Sequence, residues 1–162
     1  MAVNAVFQEN GKNNRARVVP EGTEAGDFLM IDGRPAVAYT DRGDATRTYP
    51  VALGATITRP SGGVGFAEDE AGVAFDGTWD LPVTGVDEDT AQDVAVYFKA
   101  GVDAIPEVEA DPEEGIAGSP AVPAVPAELV LTSSGNTLFG YTDYPKENYS
   151  KRAGIAPVRI GA

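Results

Sequence analysis

The segments AGDFLMI (residues 25–31) and PAVAYTD (residues 35–41) flank the dipeptide DG (residues 32–33), and this arrangement decides the fold prediction. Asp-Gly supplies the two positive φ angles that a type I′ turn requires, and the flanking residues favour strands. A similar pair, AQDVAVYF (residues 91–98) and NTLFGYTD (residues 136–143), occurs later in the chain. The sequence therefore predicts the same β-hairpin twice, with a long insertion at the tip of the second.

The insertion covers residues 101–128, which contain seven acidic residues and five prolines but no basic or aromatic residue. A segment of this composition cannot bury enough apolar area to offset the entropy of ordering it. We expect it to be extended, polyproline-like or partly mobile, and to project from the domain.

The remaining segments predict further short strands. Residues 46–53 and 55–58 are rich in β-branched residues, and residues 154–160 form a last strand interrupted by proline. Two more hairpins are expected, one around Asp76-Gly77 and one joining residues 128–132 to 137–142. Pro82 predicts an edge strand, because proline cannot donate a hydrogen bond to a neighbour. Residues 87–92 could form a single helical turn with acidic residues at its N-terminal end.

About ten short strands separated by frequent turn signals indicate a barrel or sandwich. The predicted fold class is all-β: a small β-barrel or β-tulip-like domain. We expect an N-terminal arm over residues 1–17 and a single domain over residues 18–162. A chain of 16.8 kDa with 43% hydrophobic residues is large enough to form one core.

Composition argues against an enzyme and against a bound cofactor. The chain contains neither cysteine nor histidine, which removes disulfides, thiolate metal sites and the commonest general base. The acidic clusters at residues 68–70 and 87–89 do not follow a calcium-loop order, and the glycine-rich residues 61–65 lack the parts of a phosphate loop. A carboxylate pair of the kind that hydrolyses glycosides stays open as the last-ranked alternative. The N-terminus does not resemble a signal peptide and no apolar run suffices to cross a bilayer, so we expect synthesis in the cytoplasm and no membrane partner.

Charge is distributed unevenly along the chain. The net charge is -13, yet residues 1–20 contain three basic residues and one acidic residue, and residues 141–162 contain four and two. The residues between them contain five basic and 22 acidic residues, a net of -17. An acidic body repels nucleic acid, whereas the basic ends could bind an acidic protein partner.

Aromatic and basic residues near the two ends are the candidate binding residues, since tyrosine, tryptophan and arginine concentrate binding energy at interfaces. An arm with alternating apolar residues could add a strand to a partner's sheet edge. For the bulky aromatics a core position is an equally good interpretation. The candidates in the arm and tail are Val3, Val6, Phe7, Lys12, Arg15, Arg17, Tyr144, Tyr149, Lys151 and Arg152, and those at a trimer or partner interface are Trp79 and Pro82.

Several motifs, in this order, resemble the small head-decoration, or capsid cement, proteins of phages. They are VVP (residues 18–20), AGD followed by an apolar strand (residues 25–31), AVAYTD (residues 36–41), FDGTWDLP (residues 75–82), DVAVYF (residues 93–98), GNTLFGY (residues 135–141) and VRI (residues 158–160). The acidic insertion departs from the short pattern of that family.

The resemblance implies a homotrimer on the outer surface of the virion that binds the major capsid protein and stabilises the expanded head. Two alternatives stay open. One is another structural protein of the virion, such as a fibre base or tail component. The other is a carbohydrate-binding adhesion module that uses Trp79 and tyrosines as stacking platforms.

Overall fold

The computed structural model describes the backbone of residues 5–7 together with residues 15–51, 54–62, 66–104, 119–121, 123–145 and 149–161. The described residues form twelve β-strands, and this confirms the all-β class. Ten of the strands belong to two facing sheets, and the other two form a separate hairpin.

The larger sheet has six strands in the order β1-β8-β12-β11-β9-β10. Its strands are β1 (Ala5–Phe7), β8 (Gly77–Pro82), β9 (Ala95–Lys99), β10 (Glu128–Val130), β11 (Thr137–Thr142) and β12 (Ile155–Ile160). The smaller sheet has four strands in the order β2-β7-β4-β3. Its strands are β2 (Arg15–Val18), β3 (Phe28–Ile31), β4 (Arg34–Ala38) and β7 (Glu70–Ala74). The separate hairpin consists of β5 (Thr46–Pro50) and β6 (Thr56–Pro60). All strand pairs within the two sheets and the hairpin are antiparallel.

The first predicted hairpin is confirmed. β3 and β4 pair with Ile31 opposite Arg34, so only Asp32 and Gly33 form the loop. Their φ angles are 51° and 74°, the two positive values that a type I′ turn demands.

The second predicted copy also pairs as expected, because β9 and β11 are neighbours despite their separation in sequence. The hairpin expected between residues 128–132 and 137–142 is wrong. β10 pairs with the opposite edge of β9, so β9 lies between β10 and β11. A turn motif shows that the chain reverses but not which strand becomes the neighbour, because strand pairing depends on contacts that are distant in sequence.

Two further expectations are wrong. Asp76-Gly77 does not close a hairpin, because β7 belongs to the smaller sheet and β8 to the larger one, and the turn carries the chain between the two sheets. Residues 87–92 do not form a helical turn. The Asp87 carboxylate instead accepts hydrogen bonds from the backbone N–H of Asp89 (3.0 Å) and the hydroxyl of Thr90 (2.9 Å), which stabilises a tight turn in place of a helix.

The larger sheet curls until its ends approach each other. Just after β8, Thr84 forms a parallel bridge with Val130 of β10, and its N–H donates to the carbonyl of Leu129 at 2.8 Å. The enclosed core contains Trp79, Leu81 and Phe139, and the smaller sheet contributes Val37 and Ala74 to it. The predicted barrel-like character thus arises from a strongly curled sheet covered by a second one.

A bulge in β11 places Phe139 in this core. Thr137 and Leu138 face Phe98 and Tyr97, but Gly140 faces Val96, so Phe139 is an extra residue without a partner. Its ring stacks on Phe98 with the centroids 6.5 Å apart and meets Phe28 edge-on at 6.2 Å. An inserted residue breaks the two-residue alternation of a strand, and this explains why Thr137 and Leu138 are both exposed whereas Phe139 and Gly140 are both buried.

The last predicted strand is confirmed as β12, although it lies inside the sheet rather than at its edge. The carbonyl of Pro157 accepts from the N–H of Asp143 at 2.8 Å, so the backbone groups of Pro157 point toward a residue directly beyond the end of β11. The missing N–H of Pro157 therefore removes no hydrogen bond to β11 itself. The edge position expected from Pro82 is wrong for β8 as a whole, since β1 pairs with Thr78 and Trp79. Pro82 lies beyond this pairing, so its missing N–H costs no hydrogen bond to β1.

Candidate binding surfaces

The two basic ends of the chain meet on strand β8. In the arm, β1 lies antiparallel to β8, with Ala5 opposite Trp79 and Phe7 opposite Thr78. In the tail, the hydroxyl of Tyr149 donates to the Asp80 carboxylate at 2.6 Å, and the guanidinium of Arg152 reaches the same carboxylate at 3.3 Å. Segments that are far apart in sequence thus lie side by side.

The aromatic residues of the tail form a compact cluster with Lys151. The rings of Tyr144 and Tyr149 meet edge-on with their centroids 5.8 Å apart, and the Lys151 ammonium lies 4.5 Å from the centre of the Tyr144 ring. The same ammonium donates to the carbonyl of Thr90 at 2.7 Å. The structure therefore brings together four predicted residues, Tyr144, Tyr149, Lys151 and Arg152, on the surface of the body.

Burial and charge raise the pKa of both tyrosines. For Tyr149, burial and then the hydrogen bond to Asp80 raise the pKa to about 12, against a smaller opposing effect of Arg152. For Tyr144, burial and then the negative charge of Asp87 raise the pKa. Both side chains are therefore protonated phenols at neutral pH. The Tyr149 hydroxyl donates to Asp80, and the Tyr144 hydroxyl is buried without a hydrogen-bond partner among the described residues.

The two arginines of the tail are paired with carboxylates. Arg152 contacts Asp80, and Arg159 contacts Asp93 at 3.2 Å and Asp143 at 4.0 Å. A partially exposed pair of this kind contributes on the order of 0.5 kcal/mol. The described part of the tail thus contains aromatic rings beside arginines whose charges are partly neutralised by carboxylates.

The described part of the arm leads into the smaller sheet. Arg15 is exposed, whereas the guanidinium of Arg17 lies 5.9 Å from the ring centre of Phe75, with that of Arg34 nearer at 4.8 Å. The arm candidates Val3 and Lys12 lie outside the described residues, as do the side chains of Val6 and Phe7.

Trp79 and Pro82 occupy different environments although they share β8. Trp79 has no exposed surface, and its indole N–H donates to the carbonyl of Asp76 at 3.0 Å. Trp79 is therefore a core residue, which is the alternative interpretation that the sequence allowed. Pro82 is exposed and stays available to a partner.

Sequence reasoning did not single out the β5–β6 hairpin as a binding surface. All ten residues in its strands are exposed, and none pairs with a third described strand. Tyr49 faces Ile57 across the hairpin, and both are exposed, as is Val51 just beyond β5. The composition of residues 45–62 could have indicated a binding surface, because this segment contains Arg47 and Arg59, several apolar residues and no acidic residue.

The base of this hairpin is fixed to the body. Arg47 donates to the buried carboxylate of Asp41 at 3.1 Å, and just before β5 the N–H of Asp44 donates to the carbonyl of Glu68 at 3.0 Å. At Gly62 a Cβ atom would lie 2.3 Å from the carbonyl oxygen of Arg42, so only glycine allows the two backbones to approach this closely. The hairpin consequently projects from a defined base.

An open apolar groove, which we call the β3 groove, runs along the free edge of the smaller sheet. An opening of about 380 Å³ is lined by β3 and by Val18, Pro20, Phe98 and Ala127. A second opening of about 230 Å³ continues it past Phe28 and Ala127 toward Val83 and Glu128. The charged lining residues, Asp32 and Glu128, are both acidic. Hydrogen bonds from Lys99 and then Thr84 lower the pKa of the Glu128 carboxyl.

The acidic clusters form no metal site in the part of the chain that the structure describes, where no three acidic side chains converge on a common point. Within the same residues, no helix is long and apolar enough to span a membrane. Of the insertion, residues 105–118 and 122 lie outside the description. Its base is closed by two hydrogen bonds of 2.8 Å between the backbones of Val102 and Val125.

Comparison with known proteins adds no assignment. No family model matches the chain, no curated protein is significantly similar to it, and no solved structure matches its fold.

Proposed function

We propose that this protein is a phage capsid decoration protein, a homotrimer that binds the major capsid protein on the outer surface of the head and stabilises the expanded shell. The class comes from the order of motifs in the sequence. The structural observation that carries the proposal is the meeting of the arm and the tail on β8, at Trp79 and Asp80 respectively.

This meeting gives a single binding face composed of both chain ends. In this proposal the partner contacts both β1, which pairs with Trp79 and Thr78, and the tail, which contacts Asp80 on the same strand. Tyrosine and arginine beside a polar rim are typical of protein interfaces. Three such faces on one trimer would engage neighbouring capsid subunits together, so a modest affinity per face suffices.

The arm provides the first test. The described pairing of β1 with β8 covers few residues and contains a register shift, so few hydrogen bonds hold it. Deletion of residues 1–14 is expected to abolish or greatly weaken co-sedimentation with expanded heads while the number of subunits in the oligomer stays unchanged. Undiminished co-sedimentation would exclude the arm from the binding face.

The tail provides an independent test. The variant Tyr149→Ala removes one ring of the cluster and the hydrogen bond to Asp80, and we expect weaker binding to heads. Tyr97→Ala, a strand residue of the same size away from the tail, is the matched control and is expected to bind at the wild-type level after correction for folded fraction. Equal loss in both variants would contradict a role for the tail.

Other measurements distinguish the two alternative functions from capsid decoration. A fibre base or tail component would assemble into larger particles in the absence of heads. An adhesion module would bind in a glycan screen, but burial of Trp79 removes the principal stacking platform on which that interpretation relied.

A further inference from the structure

We propose that one face of the β5–β6 hairpin binds the β3 groove of a second copy of this chain, and that this contact joins the subunits of the oligomer. The inference deepens the proposed function, since it assigns the subunit interface of the proposed trimer.

The hairpin has two unlike faces. Residues 47, 49 and 51 of one strand segment and residues 57 and 59 of the other point to the same side, because side chains alternate along a strand and Tyr49 pairs with Ile57. This side, which we call the Tyr49 face, contains Arg47, Tyr49, Val51, Ile57 and Arg59. The opposite side is composed of threonine and proline, and the hydroxyls of Thr48 and Thr58 lie 2.9 Å apart on it.

The Tyr49 face has the composition of an interface rather than of a solvated surface. Tyr49, Val51 and Ile57 are 46%, 45% and 38% exposed, an unusual concentration on one small element. Tyrosine and arginine are the residues that most often dominate binding energy. An isolated two-stranded hairpin is marginally stable in water, and a partner would supply the burial that it lacks.

The charges on the Tyr49 face call for an acidic partner. Arg47 and Arg59 lie directly opposite each other, an arrangement that destabilises a strand pair. Asp41 of the same copy compensates Arg47, but no carboxylate among the described residues forms an ion pair with Arg59. A second copy meets this need, since the chain carries a net charge of -13 and the charged lining residues of its β3 groove are acidic.

The β3 groove offers the matching surface. In the observed register the N–H and C=O groups of Phe28 and Met30 point away from β4, toward an edge on which no described strand pairs. Val18 at the side of the groove is 64% exposed. An extended segment can therefore add to this edge through its backbone while its apolar side chains enter the groove.

The hairpin and the groove are different surfaces of one chain, so the contact is heterologous and closes into a ring when the rotation between copies permits. The hairpin of a given copy does not fill its own groove, because its strand residues are exposed.

Site-directed crosslinking tests the contact directly, and the absence of cysteine makes every introduced thiol unique. Ile57→Cys and Val18→Cys are prepared separately in the full chain, mixed, and treated with a short bismaleimide. We expect a two-subunit band from the mixture but not from either variant alone. A mixture of Thr58→Cys with Val18→Cys is the matched control, since Thr58 lies on the opposite face of the hairpin, and it is expected to lose most of that band.

Light scattering gives the second readout. Tyr49→Ser/Ile57→Ser, and separately Val18→Glu in the groove, are expected to lower the solution mass roughly threefold, from trimer to monomer. Thr46→Ser/Thr56→Ser on the opposite face is expected to keep the wild-type mass. Emission from the buried Trp79 verifies that each variant is folded.

Three results would overturn the inference. The first is a wild-type mass for both the hairpin and groove variants. The second is a trimeric hairpin variant that no longer binds heads, which would assign the hairpin to the capsid protein. The third is a wild-type chain that is monomeric in solution. If that monomer binds heads, the proposed capsid binding is retained and only the proposed subunit contact is excluded.

Discussion

Tyr149 donates a hydrogen bond to Asp80, 2.6 Å away in space and 69 residues earlier in the chain. This bond holds the tail against the outward side of β8. Trp79, the residue next to Asp80 on that strand, lies in the core. The same carboxylate also receives Arg152, so one acid holds an aromatic and a basic residue of the tail in place.

Replacement of Tyr149 by phenylalanine is expected to lower the free energy of unfolding by about 1 kcal/mol, because one hydrogen bond to a carboxylate is lost in a partly exposed site. Urea denaturation followed by circular dichroism measures this. Tyr97→Phe is the control, and it should change stability less, since no described residue accepts a hydrogen bond from the Tyr97 hydroxyl. Equal effects of the two substitutions would show that the Tyr149–Asp80 bond contributes nothing.

Alkaline pH is expected to release the tail. The pKa of Tyr149 is raised from an ordinary value of 10.0 to about 12, so the folded state holds the phenolic proton more tightly than the unfolded state. The resulting stability is fully present below pH 10 and is lost as the pH rises through about 12. Absorbance of tyrosinate, compared between the wild type and Tyr149→Phe, should show one late-titrating tyrosine fewer in the variant, in which Tyr144 still titrates late. An equal number of late-titrating tyrosines in both proteins would contradict the assignment.

Trp79 is expected to be inaccessible to solvent in the free and head-bound protein alike. It is the single tryptophan of the chain and is fully buried, so its emission should lie at short wavelength and resist quenching by iodide. Trp79→Phe should cost about 2 kcal/mol, since a cavity forms and the bond to the Asp76 carbonyl disappears. Strong quenching in the free protein would return Trp79 to the list of interface candidates.

The turn at residues 32–33 provides a test of the hairpin prediction itself. Gly33→Ala is expected to destabilise the fold by about 1 kcal/mol, because φ is 74° there and a Cβ atom is strained in that region. Asp32→Asn is the matched control and should be nearly neutral, since asparagine tolerates positive φ. Thermal denaturation of the two variants measures these changes in stability. A Gly33→Ala variant as stable as the wild type would contradict the type I′ geometry.

Gly62→Ala should disturb the base of the β5–β6 hairpin without unfolding the body. The new Cβ atom would lie 2.3 Å from the Arg42 carbonyl oxygen, so one of the two backbones must shift. We expect faster hydrogen exchange confined to the amides of β5, β6 and their base. Gly22→Ala is a control in open space, although its φ of 79° carries its own strain. Exchange that accelerates throughout both sheets would show that the hairpin base is part of the core.

The sequence alone predicted the all-β class, the turn at Asp32-Gly33 and the pairing of residues 91–98 with 136–143. These features depend on local backbone preference and on the two-residue alternation of apolar side chains, both of which can be recognised along the chain. It also indicated Tyr144, Tyr149, Lys151 and Arg152 as a set, because aromatic and basic residues are close together there.

Only the tertiary structure decided which strands became neighbours and which side chains were covered. Asp76-Gly77 has the same local signature as Asp32-Gly33, yet it connects two sheets, because the partner of a strand is chosen by the total burial and hydrogen bonding of the assembled sheets. For the same reason Trp79 became a core residue, and the Tyr49 face was left uncovered although it contains Tyr49, Val51 and Ile57. Local sequence thus determined where the chain extends and turns, while long-range packing determined which surfaces are left to bind.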